Sequence, residues 1–385
     1  MSQTLSTQNR GYGAPVRTYT DQELTRHLHG PGPSPVPPEV REAMARPVLG
    51  HLDPTFIGIM DEISDALRLA FRTQNRMTFP VSGTGSAGME CAVFNLLEPG
   101  DVFVVGVNGV FGGRMAEEGR RAGATVVTVE APWGEIVPTA DLVSAARDHG
   151  ADVVGIVHAE TSTGVRQPVE ELRAALGPEP LLLVDSVTGL GGIPLLVDEW
   201  GIDACYSGTQ KCLSVPPGLA PITFSDRAVA RITGRSEAVR SWYLDVSLLA
   251  GYWDEGESQR RYHHTAPISM LYGLHEGLRL LLDEGLESRW ARHRAAGDHL
   301  QAGLEDRGFG LLATEAHRLP QLTSTLVPEG IDEASARSRL LTDHGIEIGG
   351  GLGPLAGTIW RIGMMGHGAT IEAADRLLDA IDAVV

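Results

Sequence analysis

The chain has 385 residues and a mass of 41.1 kDa, enough for two domains, with 42% apolar and 21% charged residues and a mean hydropathy of −0.04. That composition excludes a peptide hormone, a zinc knuckle and a disordered chain. A net charge of −18 and a pI near 5.1 repel phosphate backbones and anionic headgroups, which argues against nucleic acid or a membrane surface as partner.

Residues 1–29 are polar and read as an arm, mobile or docked elsewhere; no apolar stretch of signal-peptide length opens the sequence. The segment Gly30-Pro31-Gly32-Pro33-Ser34-Pro35-Val36-Pro37-Pro38 is too proline-dense for a helix or a central strand, and a helix is expected just after it. Between residues 80 and 225, β-branched apolar runs alternate with helical stretches: Val102–Val107, Thr125–Val129, Val153–Val157, Leu181–Val184 and Ala220–Phe224. This alternation predicts βαβ units and an α/β fold with a mainly parallel sheet. Residues 267–283 carry apolar positions at helical spacing behind a proline and predict a helix leading out of that sheet. Strands near Leu322–Val327, Ile346–Ile348 and Ile359–Ile362, then a helix from Ile371, predict a smaller α+β domain. The expected division is an arm over 1–29, a large domain over 30–266, and a linking helix with a small domain over 267–385.

Cys91, Cys205 and Cys212 are too few for a disulfide framework and lack metal-ligand spacing, which suits a reducing compartment. With no run of 18 apolar residues, and with Asp382-Ala383-Val384-Val385 unlike a peroxisomal tripeptide, the expected location is cytoplasmic.

Of 31 basic residues, 30 are arginine and one is lysine, Lys211. Arginine replaces lysine wherever a positive charge suffices. It fails where an amine must lose its proton and attack a carbonyl. Lys211 is therefore either a chance survivor or a nucleophilic lysine. Ser82-Gly83-Thr84-Gly85-Ser86-Ala87-Gly88 precedes the helical run Met89–Leu97 and can offer free amides to an anion, or can be a plain tight turn. Gly83, Gly85 and Gly88 also match a dinucleotide fingerprint, but the next strand ends in Gly106-Val107-Asn108 without the acid that reading needs. Leu181-Leu182-Leu183-Val184-Asp185 places a carboxylate at a strand end, as a ligand group or as a cap. Anion cradle, strand-end aspartate and lone lysine together match what pyridoxal 5'-phosphate requires: a helix N-terminus for its phosphate, a carboxylate for its ring nitrogen, and an amine for its aldehyde.

From Gly30 to the C-terminus the sequence resembles the class V aminotransferases, which are pyridoxal-phosphate enzymes of fold type I, and among them the alanine-, serine- and ureidoglycine-glyoxylate branch. The resemblance rests on Gly30-Pro31-Gly32-Pro33, Ser82-Gly83-Thr84-Gly85-Ser86, Gly109-Val110-Phe111-Gly112 and His158-Ala159-Glu160-Thr161-Ser162-Thr163-Gly164. It continues through Val184-Asp185-Ser186-Val187, Ser207-Gly208-Thr209-Gln210-Lys211, Tyr262-His263-His264-Thr265 and Trp360-Arg361-Ile362-Gly363. It implies a mainly parallel seven-stranded sheet flanked by helices, with a smaller C-terminal α+β domain. Lys211 is then the Schiff-base lysine and proton shuttle, and Asp185 the partner of the pyridine nitrogen. Thr84, Gly85, Ser86 and Gln210 fall at phosphate-binding positions, Thr161 at the ring-hydroxyl position, and Val187 and Phe111 on the ring faces, Phe111 where relatives commonly carry tryptophan. Tyr262 and Thr265 match residues that reach the phosphate from a neighbouring subunit, so the resemblance implies a homodimer with shared sites. Arg361 matches the clamp on the substrate α-carboxylate.

The implied reaction moves an amino group from a small amino acid, alanine or serine, to glyoxylate or a similar 2-oxo acid. Ureidoglycine is the alternative donor: Val197–Asp203 and Gly353–Arg361 look like ureidoglycine enzymes, but those tend to carry amides where His51 and Tyr262 stand. A cysteine desulfurase or related lyase shares the fold, yet typically has a histidine before the lysine, where Gln210 stands, and a later cysteine, and none follows Cys212. Trp133, Trp200, Met364 and Met365 read as packing, whereas for His158 stacking, hydrogen bonding and plain core filling stay open.

Overall fold

The computed structural model describes residues 16–253 and 260–385; the first 15 residues of the expected arm lie outside the described residues. The main sheet has seven strands: β1 Met77–Ser82, β2 Val102–Val107, β3 Thr125–Glu130, β4 Val153–Val157, β5 Leu181–Asp185, β6 Ala204–Tyr206 and β7 Leu219–Phe224. Their order is β1-β7-β6-β5-β4-β2-β3. Every neighbouring pair is parallel except those of β7, which runs antiparallel to β1 and β6. Strands β4, β5 and β7 are buried along their whole length, as expected when helices cover both faces, whereas β3 at the edge is only half-buried. Strands β1 and β6 were not among the runs picked out in the sequence: β1 carries Pro80 at its centre and β6 is three residues long.

Helices α1 Pro38–Met44 and α2 Pro54–Phe71 begin with proline in the first turn, where the missing N–H costs nothing. Helix α3 spans Gly85–Leu96 and α4 spans Val110–Ala122, each starting at the carboxyl end of the sheet. Helix α3 begins four residues earlier than the apolar pattern suggests, because Gly85 through Gly88 contribute no apolar periodicity although they are helical. Helix α5, Ile268–Glu284, buries Leu271, Leu274, Leu278 and Leu281 in the same core as the sheet.

A second core lies around an antiparallel sheet ordered β8-β9-β11-β10, from β8 Gly310–Leu311, β9 Leu322–Leu326, β10 Gly349–Gly350 and β11 Ile359–Gly363. Helices α6 Leu286–Asp306 and α7 Ile371–Val384 close it with Leu300, Leu304, Leu377 and Ile381 around Trp360. The end of the expected arm docks here, His27 and Leu28 pairing in parallel with Ile346 and Glu347. No helix among the described residues is long and apolar enough to cross a membrane.

Candidate active site

The loops that follow β1, β2, β4, β5 and β6 converge at the carboxyl end of the sheet, where open α/β folds carry their ligands. A cavity of about 240 Å³ opens there, and its wall includes Thr84, Gly85, Ser86, Phe111, Thr161, Asp185, Val187, Gln210 and Lys211. Nine of the twelve site residues expected from the sequence therefore meet around one space.

Lys211 follows β6 on a tight turn that also carries Gln210. The segment before α1 holds this turn: the Ser34 amide donates to the Gln210 carbonyl at 2.9 Å, and the Ser34 hydroxyl to the Lys211 carbonyl at 2.6 Å. The ammonium nitrogen of Lys211 donates to the Pro31 carbonyl. At Gly32 φ is +111°, a conformation that favours glycine, and a Cβ there would lie 2.7 Å from that nitrogen and displace the lysine's end. The first proline-glycine motif is thus the wall against which the lysine rests. Burial brings the Lys211 amine down to about 8, with the Arg361 charge adding to the drop and Cys212 and Asp185 opposing it.

Asp185 ends β5 with its carboxylate buried. Oδ1 accepts from the Val187 amide at 2.8 Å and Oδ2 from the Tyr206 phenol at 2.8 Å. Burial pushes the carboxyl up to about 6; those two donors pull against it, Glu160 adds to the rise and Lys211 opposes it.

Thr84 precedes α3 in an extended conformation, and its side chain makes no capping bond. The first amides of the helix are left for a ligand, at the end where the macrodipole favours an anion. Gly85 is fixed by packing, since a Cβ there would stand 2.9 Å from a Val187 methyl. Gln210 lines the same space with its side-chain oxygen buried and unpartnered.

Phe111 lies in the first turn of α4, and the buried Glu160 carboxylate anchors that turn. Its Oε2 accepts from the amides of Phe111 at 3.0 Å and Gly112 at 3.3 Å; its Oε1 accepts from the Ser162 amide and hydroxyl at 3.1 and 2.6 Å. Arg361 on β11 is buried and bonds only backbone oxygens, Nε to Gly350 at 2.7 Å and Nη1 to Thr161 at 3.4 Å. The Glu160 charge it feels is already occupied by four donors, so among the described residues the guanidinium has no ion-pair partner. Arg361 stands beside the cavity behind Thr161.

Tyr262 and Thr265 are exposed and do not line the cavity; their hydroxyls lie 3.4 Å apart. The Tyr262 ring packs 4.9 Å from that of His51. His158 is buried edge-on to Trp200, and burial lowers its imidazole to about 3, which makes it a neutral packing residue. Met364, Met365 and Trp200 are also buried.

Two residues escaped the sequence reading. Arg114 also lines the cavity, its guanidinium 5.0 Å from the Phe111 ring centroid and donating to the Ser86 hydroxyl at 3.1 Å. Its position three residues after Phe111 on a helix was the available signal. Tyr206 lies opposite Asp185 in the strand register, which no spacing in the sequence reveals.

The class-V aminotransferase family model matches residues 28–362. The chain belongs to the class-V aminotransferase family. It is 42% identical to an alanine–glyoxylate aminotransferase of Oryctolagus cuniculus over 92% of this chain and 91% of that one. It is 40% identical to an (S)-ureidoglycine–glyoxylate transaminase of Bacillus subtilis over 94% and 90% of the two chains. The structure of an alanine–glyoxylate aminotransferase from Nostoc sp. superposes with a TM-score of 0.91 at 45% identity, covering 98% of both chains. The enzyme is an aminotransferase whose cofactor is pyridoxal 5'-phosphate. The residues fit that group: an uncapped helix start for the phosphate, a buried carboxylate and a buried lysine amine share one cavity with the Gln210 side chain.

Proposed function

We propose that this aminotransferase moves the amino group of a small amino acid, alanine or serine, to glyoxylate. The observation that carries the reading is one cavity shared by Lys211, Asp185 and the start of α3, with the unpaired Arg361 guanidinium beside it. When bound, the cofactor supplies an aldehyde that takes up the amino group and a ring that stores the electron pair of the broken Cα–H bond. In this reading the α3 amides, Thr84, Gly85, Ser86 and Gln210 hold the phosphate, and Thr161 holds the ring hydroxyl. Phe111 and Val187 confine the ring, and Asp185 keeps a proton on the ring nitrogen. Lys211 would hold the cofactor's aldehyde through Nζ, and that amine, when free, would stand ready to accept the proton from the donor's α-carbon. Arg361 binds the α-carboxylate through its planar guanidinium, which no carboxylate among the described residues pairs with.

The relatives named for alanine and ureidoglycine are nearly equally similar, so donor preference rests on His51 and Tyr262. Their paired rings present no amide to a ureido group. A desulfurase-type lyase draws no support from the thiols, all three of which are buried; burial pushes Cys212 up to about 12. A donor panel with glyoxylate and pyruvate as acceptors tests the assignment on wild type and Arg361→Gln. Alanine or serine with glyoxylate should give the highest kcat/KM, and the variant should raise KM for every α-carboxylate substrate by about tenfold or more. Preference for ureidoglycine would reverse the donor order, and an unchanged KM in the variant would remove the clamp.

A homodimer completes the site in this reading, Tyr262 and Thr265 being exposed on each copy and reaching the partner's phosphate. Light scattering should give about twice the mass of one chain; a monomer with full activity would contradict it. The three buried free thiols accord with a cytoplasmic location, which fractionation of cells producing the protein would check.

A further inference from the structure

Tyr206 on β6 is fully buried, and its phenol has one hydrogen-bond partner among the described residues, Oδ2 of Asp185 at 2.8 Å, a carboxylate on the cavity wall. The two residues sit opposite one another on β5 and β6, so the bond is fixed by strand register rather than by a loop. Helix α3 packs directly onto the ring, because at Gly88 a Cβ would already stand 3.4 Å from the Tyr206 Cβ and 3.5 Å from Cδ2. The phenol remains a donor: burial holds it well above its usual range, and the charges of Asp185 and Glu118, with Cys205, add to the rise. Around the carboxylate itself stand Glu160, which disfavours its charge, and Lys211, which favours it.

Each oxygen of Asp185 thus receives one donor, from Val187 and from Tyr206, with lone pairs left over. A buried carboxylate deprived of a donor shifts toward its neutral acid, and a neutral acid does not stabilise a charged ring nitrogen. We propose that Tyr206 is a positioning residue that, through Asp185, sets how fully the cofactor's ring nitrogen is protonated and hence how readily the substrate α-proton leaves. The inference rests on the reading of Asp185 given above.

The test is nitrogen-15 NMR of holoenzyme loaded with pyridoxal phosphate labelled at the ring nitrogen, in wild type, Tyr206→Phe and Asp185→Asn. Tyr206→Phe should move the ring-nitrogen signal toward the neutral form and lower kcat about tenfold, with KM for the amino donor changing less than about twofold. An unmoved signal and kcat in Tyr206→Phe, while Asp185→Asn moves both, would overturn the role of Tyr206 and spare that of Asp185. A signal that neither variant moves would overturn both assignments. Loss of thermal stability with the signal unmoved would show a merely structural tyrosine and also contradict the proposal. Should Tyr206→Phe fail to fold, 3-fluorotyrosine at position 206 provides the second readout. Its more acidic phenol should move the signal toward the protonated form, and no movement would count against the proposal.

Discussion

Replacing Lys211 with alanine is expected to abolish covalent attachment of the cofactor and to lower turnover by about a thousandfold or more, the scale of a lost general base. Lys211→Arg should do the same although it keeps the charge, because a guanidinium does not give up its proton to become a nucleophile. The surroundings explain why the wild-type amine can. Burial lowers it to about 8, and the Pro31 carbonyl holds its position without neutralising it. The direction of the pH effect follows: below about 8 the amine is protonated and does not attack an aldehyde, so attachment to the apoenzyme should accelerate as pH rises through that value and level off above it. Visible absorbance after mixing apoenzyme with pyridoxal phosphate at a series of pH values reads this rate. Near-normal turnover by Lys211→Ala would remove the lysine from the mechanism.

Asp185→Asn should be the second most damaging change, lowering kcat by about a hundredfold or more while leaving the fold intact. The amide has the shape of the carboxylate and keeps an acceptor for the Val187 amide or the Tyr206 phenol, so the expected loss is electrostatic. Without the negative charge nothing in the cavity wall favours a protonated ring nitrogen, because the other charges on the wall, Lys211 and Arg114, are positive. Cofactor affinity should fall as well, since one of its charged contacts is gone. Measurement of kcat together with the cofactor dissociation constant checks both; a variant within a few-fold of wild type in kcat would show that Asp185 serves only to order the loop through Val187.

The parts of this site that were legible in the sequence share one property: each is a residue type that the chemistry cannot exchange. A lone lysine among arginines, an aspartate ending an apolar strand and glycines before a helix could all be read before any contact was known. Tyr206 and Glu160 act by holding other groups, and their partners are brought to them by strand register and by the start of α4. Periodicity reveals neither. The same holds for the fold. Continuous β-branched runs announce their strands, whereas β1, interrupted by Pro80, and the three-residue β6 take their structure from neighbours on the sheet. The start of α3 carries no apolar signal, although it is the missing Cβ at Gly85 and Gly88 that lets Val187 and Tyr206 approach.

The most direct measurement is reduction of the holoenzyme with borohydride, followed by digestion and mass spectrometry. The account predicts one pyridoxyl adduct, on the peptide containing Lys211. An adduct on no residue, or on the N-terminal amine alone, would contradict it.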